Sequence, residues 1–214
     1  NTIAMVLAGA MLLPSNAFAA DLSQYKDFPN DWSAKSLEQA IDNGLLNGSN
    51  GMIDAKGLLT RAQMAAIVSR SFGAAKTASL DDYRDVLPSA WYYSDMGKAV
   101  KMGAFQGANG LLNPDAPITR AEFAAIAARF DDKNTNNTSN FSDIASHWAK
   151  DEIGVAANKG WINGYPDSTF RPDQYITRAE AMTLVNRVLN RLPEKSEDLL
   201  DDMIKWPDNA DASV

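Results

Sequence analysis

The chain has 214 residues, of which 45% are hydrophobic and 22% are charged, a composition typical of a folded domain. It contains no cysteine, so neither a disulfide framework nor a thiolate metal site is available. Its formal net charge of -7 argues against broad binding to nucleic acid, which requires a basic face that neutralises phosphates. An anionic ligand would therefore have to meet a local basic pocket.

The first residues are typical of an export signal. An apolar run from Ile3 to Leu13 precedes Ala17-Phe18-Ala19, the small-x-small pattern that signal peptidases cleave. The run is about half as long as a membrane span, which needs roughly 20 residues. An initiator Met and a basic leader are missing, so we interpret residues 1–20 as a partial signal peptide, cleaved after Ala19 or Ala20. We expect no membrane insertion of the mature chain.

The mature sequence contains three copies of one unit. We predict repeat 1 at 21–76, repeat 2 at 77–134, repeat 3 at 135–192, and an acidic tail at 193–214 that leads to a downstream region. Each copy opens with an aromatic-x-Asp-apolar motif, and later positions keep the same register. The aligned residues are Tyr25, Tyr83 and Phe141; Asp27, Asp85 and Asp143; Trp32, Trp91 and Trp148; Gly44, Gly103 and Gly160; Gly48, Gly107 and Gly164; and Arg61, Arg120 and Arg178.

Each copy is predicted to form two helices. The first begins near the Trp and ends at the first aligned Gly, which suits a left-handed C-cap. The second begins at the Thr before the Arg. Its apolar stripes are Met64, Ile67, Val68 and Phe72; Phe123, Ile126, Ala127 and Phe130; and Met182, Val185, Val188 and Leu189. Because one helix pair buries little surface, we predict a mainly α fold of three tandem helix-loop-helix repeats in a pseudo-threefold arrangement around a central three-helix bundle.

The pentad at the start of each second helix carries a capping box. Thr60, Thr119 and Thr177 are followed three residues later by Gln63, Glu122 and Glu180, which cap the backbone reciprocally. This role does not explain the arginines between them, because a cation in the first helical turn opposes the macrodipole. Two readings remain open for Arg61, Arg120 and Arg178: binding of an anionic ligand beside a helix N-terminus, or a structural salt bridge.

Two further aligned sets have competing interpretations. Arg70, Arg129 and Arg187 lie near helix C-termini, where dipole complementation or inter-repeat pairing with an acid is favoured over ligand binding. Trp32, Trp91 and Trp148 begin the first helices, where an indole ring serves either the core or a sugar-stacking face. The core role is favoured.

These motifs resemble the S-layer homology family over about Tyr25 to Leu192. Copy three matches best, with Gly164-Tyr165-Pro166-Asp167 ahead of Ile176-Thr177-Arg178-Ala179-Glu180. The resemblance implies a secreted bacterial protein at the cell wall or S-layer, with grooves between copies that hold pyruvylated secondary cell-wall polysaccharide attached to peptidoglycan. It implies that Arg61, Arg120 and Arg178 bind the acidic group, and Tyr165, Asp167 and the three tryptophans are further candidate contacts. Copies one and two lack the Tyr-Pro-Asp loop, so their grooves are expected to be weaker or differently specific.

Other functions rank lower. An enzyme is not predicted, because His147 is the sole histidine and has no counterpart in the other copies, and no spacing marks a pair of catalytic acids. No cofactor or metal is predicted, since no loop follows the EF-hand pattern. Two alternatives stay open: a helical-repeat scaffold for a protein partner, and binding of modified peptidoglycan itself, whose amine groups would favour acidic residues over arginines.

Overall fold

The computed structural model describes residues 21–130 and 139–189. The predicted signal peptide and acidic tail lie outside these described residues. Within them, six α-helices follow a short 3-10 helix at Leu22–Gln24, and the mainly α prediction is confirmed. The helices are α1 Ala34–Asp42, α2 Arg61–Ser71, α3 Tyr93–Lys101, α4 Arg120–Ala128, α5 Lys150–Asn158 and α6 Arg178–Val188. Among the described helices, none combines the length and the apolar character that crossing a bilayer requires.

Local signals set the ends of these helices, as predicted. The first helix of each copy is followed by a glycine in the left-handed region, with φ of +65° at Gly44, +77° at Gly103 and +69° at Gly160. Each second helix begins immediately after its Thr, and all three capping boxes are complete. The three second helices therefore start at equivalent residues and present equivalent faces.

The copies are joined in a ring. The first helix of each copy packs on the second helix of the preceding copy: α3 on α2, α5 on α4, and α1 on α6, which closes the circle. Polar contacts mark two of these interfaces. The Ser69 hydroxyl donates to Asp95 Oδ1 at 2.5 Å between α2 and α3. The buried Asn186 amide donates to the Ser36 carbonyl at 3.2 Å between α6 and α1.

The three second helices meet at the centre, which confirms the predicted central bundle. Their apolar stripes line one narrow cavity, where the rings of Phe72 and Phe130 stack with centroids 4.3 Å apart. Burial of these stripes contributes to stability, at about 25 cal/mol per Å² of apolar surface. The arrangement is pseudo-threefold, because each copy supplies one equivalent helix.

A ring of backbone hydrogen bonds ties the N-terminal ends of the central helices together. The Leu59 N–H donates to the Ile176 carbonyl at 3.1 Å, the Ile176 N–H to the Ile118 carbonyl at 3.1 Å, and the Ile118 N–H to the Leu59 carbonyl at 2.8 Å. Since these side chains are buried, the ring shields its own polar groups from water. It fixes the spacing of the loops that surround the candidate site.

Candidate ligand grooves

The aspartate of each opening motif holds the loop of its own copy. Asp143 accepts from the N–H groups of Phe170 at 2.8 Å and Arg171 at 2.7 Å. Asp27 and Asp85 hold the corresponding backbone groups of copies one and two. Burial alone would raise the pKa of Asp143, but the two N–H donors outweigh it and keep the pKa below its ordinary value of 3.8. The loops are therefore clamped by charged acceptors.

The aromatic residue of each opening motif explains the second aligned glycine. A Cβ added to Gly107 would lie 2.3 Å from the Tyr83 ring, and one added to Gly164 would lie 2.1 Å from the Phe141 ring. Gly48 faces Tyr25 in the same way. Each loop can thus approach its ring only because a glycine stands there.

The pentad arginines reach across to the loop of the following copy. Arg61 Nε donates to the Leu112 carbonyl at 2.8 Å, Nη1 to Glu122 Oε1 at 2.6 Å, and Nη2 to the Gln106 carbonyl at 3.3 Å. Arg61 thus forms the structural salt bridge that the sequence left as one alternative. Its remaining N–H groups and its position in a groove keep the ligand reading open.

Arg120 makes the equivalent connection from copy two to copy three. Its Nε donates to the Phe170 carbonyl at 2.8 Å and its Nη2 to the Asn163 carbonyl at 2.7 Å. The residue is 8% exposed, and this burial lowers the pKa of its guanidinium. Arg120 is therefore held mainly by backbone carbonyls.

Arg178 closes the circle from copy three to copy one and is the least satisfied of the three. Its Nη2 lies 3.9 Å from Asp54 Oδ2, and its buried Nε has no hydrogen-bond partner among the described residues. The position that carries Glu122 beside Arg61 is occupied here by the uncharged Gln63. Arg178 therefore lacks a counterpart of the carboxylate that pairs with Arg61.

The first backbone N–H groups of each second helix are already hydrogen-bonded to the next copy. The Arg61 N–H donates to the Ala116 carbonyl at 2.9 Å, and the Ala62 N–H donates to the Pro114 carbonyl at 2.8 Å. The corresponding groups of α4 and α6 are bonded in the same way to the next copy. A ligand beside these helix ends would therefore meet the arginine side chains rather than these N–H groups.

One groove, which we call the Arg61 groove, has a volume of about 290 Å³. It combines parts of all three copies: Arg61 from copy one, the loop and Arg129 from copy two, and Trp148 from copy three. Its full lining is Arg61, Ala104, Phe105, Gln106, Ala108, Leu111, Asn113, Glu122, Ala125, Ile126, Arg129 and Trp148. The volume is close to the roughly 300 Å³ at which small-ligand sites begin, enough for about one sugar ring.

The tryptophans lie on the surface, so the favoured core role is wrong for them. Trp32, Trp91 and Trp148 are 66%, 64% and 62% exposed. The first helix presents its apolar face to the preceding copy, which leaves the residue before its first turn outside the interface. An exposed indole ring is suited to stack on the face of a sugar. The structure brings Trp148 to the same groove as Arg61.

Arg129 lines the groove, although the sequence favoured a structural role for it over ligand binding. The position in repeat register indicated only a helix C-terminus, yet the side chain lines the Arg61 groove and donates to the Ala104 carbonyl. Its relative Arg70 pairs with Asp95 of the next copy at 3.8 Å, so the predicted inter-repeat pairing is confirmed there. The proximity of two arginines required knowledge of which copies meet.

Tyr165 and Asp167 have separate roles in the loop of copy three. Asp167 accepts from the Thr169 hydroxyl at 2.6 Å, from the Thr169 N–H and from Arg171, and these contacts lower its pKa to about 2. Asp167 thus stabilises a turn. The Tyr165 ring lies over the guanidinium of Arg120, with 4.9 Å from Cζ to the ring centroid. Arg171 contacts both residues, since its guanidinium lies 3.8 Å from the centroid of the Tyr165 ring and donates to Asp167.

Comparisons with known proteins identify the repeats. The model of the S-layer homology domain matches residues 24–65, 82–124 and 140–182, one segment in each predicted repeat. The chain is 36% identical to the cellulosome-anchoring protein of Acetivibrio thermocellus over 155 residues, which are 67% of this chain and 34% of that protein.

Two further relatives are surface proteins by name. Cell surface glycoprotein 1 of Acetivibrio thermocellus is 36% identical over 151 residues, covering 63% of this chain and 6% of that protein. Outer membrane protein SlpA of Thermus thermophilus is 45% identical over 56 residues, covering 26% and 6%. The chain therefore spans at most about a third of the length of these relatives. Because the family model matches three segments and these relatives are named as surface or anchoring proteins, the chain is a cell-surface module that belongs to the S-layer homology domain family.

Proposed function

We propose that this module anchors an exported protein non-covalently to the bacterial cell wall by binding pyruvylated secondary cell-wall polysaccharide attached to peptidoglycan. The observation that carries the proposal is the Arg61 groove, where two arginines and an exposed indole ring from three copies line one cavity. The relative named as a cellulosome-anchoring protein supports an anchoring role. Recognition requires binding alone, with no catalytic step.

The charges of the groove favour an acidic sugar. Arg61 is paired with Glu122 at 2.6 Å, whereas Arg129 donates to a carbonyl and has the carboxylate of Glu152 as an electrostatic neighbour. A carboxylate on the ligand would meet two guanidinium groups at this groove, on a chain whose overall charge is -7. A guanidinium binds a carboxylate through paired, charge-assisted hydrogen bonds.

Repetition supplies the strength of attachment. One groove of this size holds about one sugar ring, and exposed polar contacts give modest affinity. Because the wall polymer repeats the same sugar, a second groove on the same module would bind at high effective concentration, which raises the overall affinity by roughly 100-fold or more. A folded module with several grooves thus binds a polymer far better than a single sugar.

The test is sedimentation of the purified module with wall sacculi, before and after hydrofluoric acid removes the secondary polysaccharide. We expect binding that stripping abolishes. Arg129→Gln and Trp148→Ala should each weaken binding about tenfold at unchanged thermal stability, since both side chains have exposed surface. Leu87→Ala, a change at an exposed hydrophobic residue outside the groove lining, is the matched control.

Other outcomes assign other ligands. Binding that survives stripping would move the ligand to peptidoglycan, and acidic residues rather than Arg129 would then matter. Binding to neither preparation would contradict wall anchoring and favour a protein partner.

A further inference from the structure

The three loops that the pentad arginines reach differ at one residue. The residue that follows the loop glycine is Ser49 in copy one, Ala108 in copy two and Tyr165 in copy three. Its position is fixed in each copy, because the preceding glycine lies against the aromatic ring of the opening motif. Differences in this side chain therefore change the groove without moving the loop.

In copy three the tyrosine ring covers the pentad arginine. The Tyr165 ring has Arg120 on one side, with 4.9 Å from Cζ to the ring centroid, and Arg171 at 3.8 Å. Its hydroxyl donates to Gln174 Oε1 at 3.2 Å. Phe170 contacts Arg120 as well, at 4.7 Å, so the guanidinium lies between two aromatic rings. A ligand would have to displace the Tyr165 ring to reach it.

In copy two the same position is an alanine, and Arg61 lines the groove with 12% of its side chain exposed. Ala108 is exposed, and its methyl group lines the Arg61 groove. A tyrosine ring at this position would occupy much of a 290 Å³ cavity. Ser49 is also small and exposed, and it belongs to the loop that Arg178 approaches.

We infer that the residue after the loop glycine is a gate that decides which grooves accept a sugar. Ala108 leaves the Arg61 groove open and Ser49 leaves the loop beside Arg178 without a ring, whereas Tyr165 covers Arg120. Arg120 then acts as an inter-repeat latch, consistent with its burial and its two carbonyl acceptors. The inference rests on the proposed function and reverses the expectation that the best-matching loop belongs to the best groove.

Reciprocal exchange of the gate residues tests the inference. The ligand probe is the wall polysaccharide released by hydrofluoric acid and hydrolysed to single repeat units, titrated by calorimetry into the full chain. We expect Ala108→Tyr to remove one bound unit per chain and Tyr165→Ser to add one. Ala75→Tyr, which places the same ring at an exposed residue outside the groove lining, should leave the stoichiometry unchanged.

The outcomes separate this inference from the proposed function. If the unaltered chain binds the units but Ala108→Tyr binds just as many at equal affinity, the gate is overturned and wall binding stands. If the unaltered chain binds no units and no sacculi, the proposed function fails and the gate falls with it. Thermal unfolding of each variant checks that it is folded. If Tyr165→Ser is destabilised, Ala108→Tyr alone decides the outcome, because Ala108 is exposed and its replacement does not disturb the core.

Discussion

Single aspartates hold the loops, and Asp143 shows how much depends on one carboxylate. Asp143→Asn removes a charged acceptor from two backbone N–H groups. We expect the free energy of unfolding at pH 7 to fall by about 1–3 kcal/mol, measured by urea denaturation. Asp82→Asn, at an exposed carboxylate, should change it by less than about 0.5 kcal/mol.

The same clamp predicts the response to acid. Because the pKa of Asp143 is lower in the folded chain than its ordinary value of 3.8, its stabilisation is fully present above that value. It is lost as the pH falls from 3.8 through the folded pKa, as is that of Asp27, whose pKa is also lowered. Between pH 5 and pH 2, the free energy of unfolding measured by urea denaturation should therefore fall less with decreasing pH in Asp143→Asn than in the unaltered chain. The same pH dependence in the unaltered chain and in Asp143→Asn would contradict the role of Asp143 in holding the loop.

A side chain at a loop glycine should destabilise the fold. A Cβ at Gly48 would lie 2.4 Å from the Tyr25 ring and 2.6 Å from the Met52 carbonyl, and the backbone atom cannot move aside cheaply. Gly48→Ala should therefore destabilise the chain by about 2–3 kcal/mol in urea denaturation. Gly73→Ala, where a Cβ has open space but φ is +59°, should cost only about 1 kcal/mol. Equal costs would show that the ring contact is unimportant.

At the scale of the helix, Glu122 has two tasks at the start of α4. Its Oε2 accepts from the Thr119 N–H and its Oε1 from Arg61. Gln63 performs the capping task alone in copy one. We expect Glu122→Gln to keep the cap, with a loss of less than about 1 kcal/mol, and to bind acidic polysaccharide several-fold more tightly because the groove loses a negative charge. The gain should shrink in high salt. Weaker binding at low salt would contradict the electrostatic argument.

The helices were predictable because their signals are local. The capping box, a Thr with a Glu or Gln three residues later, acts within one helical turn. It therefore predicted the first residues of α2, α4 and α6. The exposure of Trp148 and the approach of Arg129 to Arg61 depend instead on which copy packs against which. Periodicity within one copy carries no information about that order, and so the sequence favoured a buried indole and a purely structural Arg129.

At the scale of the molecule, no copy is complete by itself. The N-terminal N–H groups of α4 are bonded to carbonyls of copy three, and the guanidinium of Arg120 is bonded there too. Residues 21–134 alone should therefore lack cooperative thermal unfolding in circular dichroism, whereas residues 21–192 should unfold in one transition. A cooperative transition in the shorter fragment would contradict the interdependence of the copies.

The closure of the ring has a consequence for the order in which the chain becomes structured. Asn186 and Ser36, which join the last helix to the first, are separated by 150 positions. The first copy to be synthesised therefore acquires the partners of its first helix only after the last copy has been synthesised. Such distant pairing slows folding relative to a stack of neighbours. We expect the module to assemble in a single step once its last helix is available.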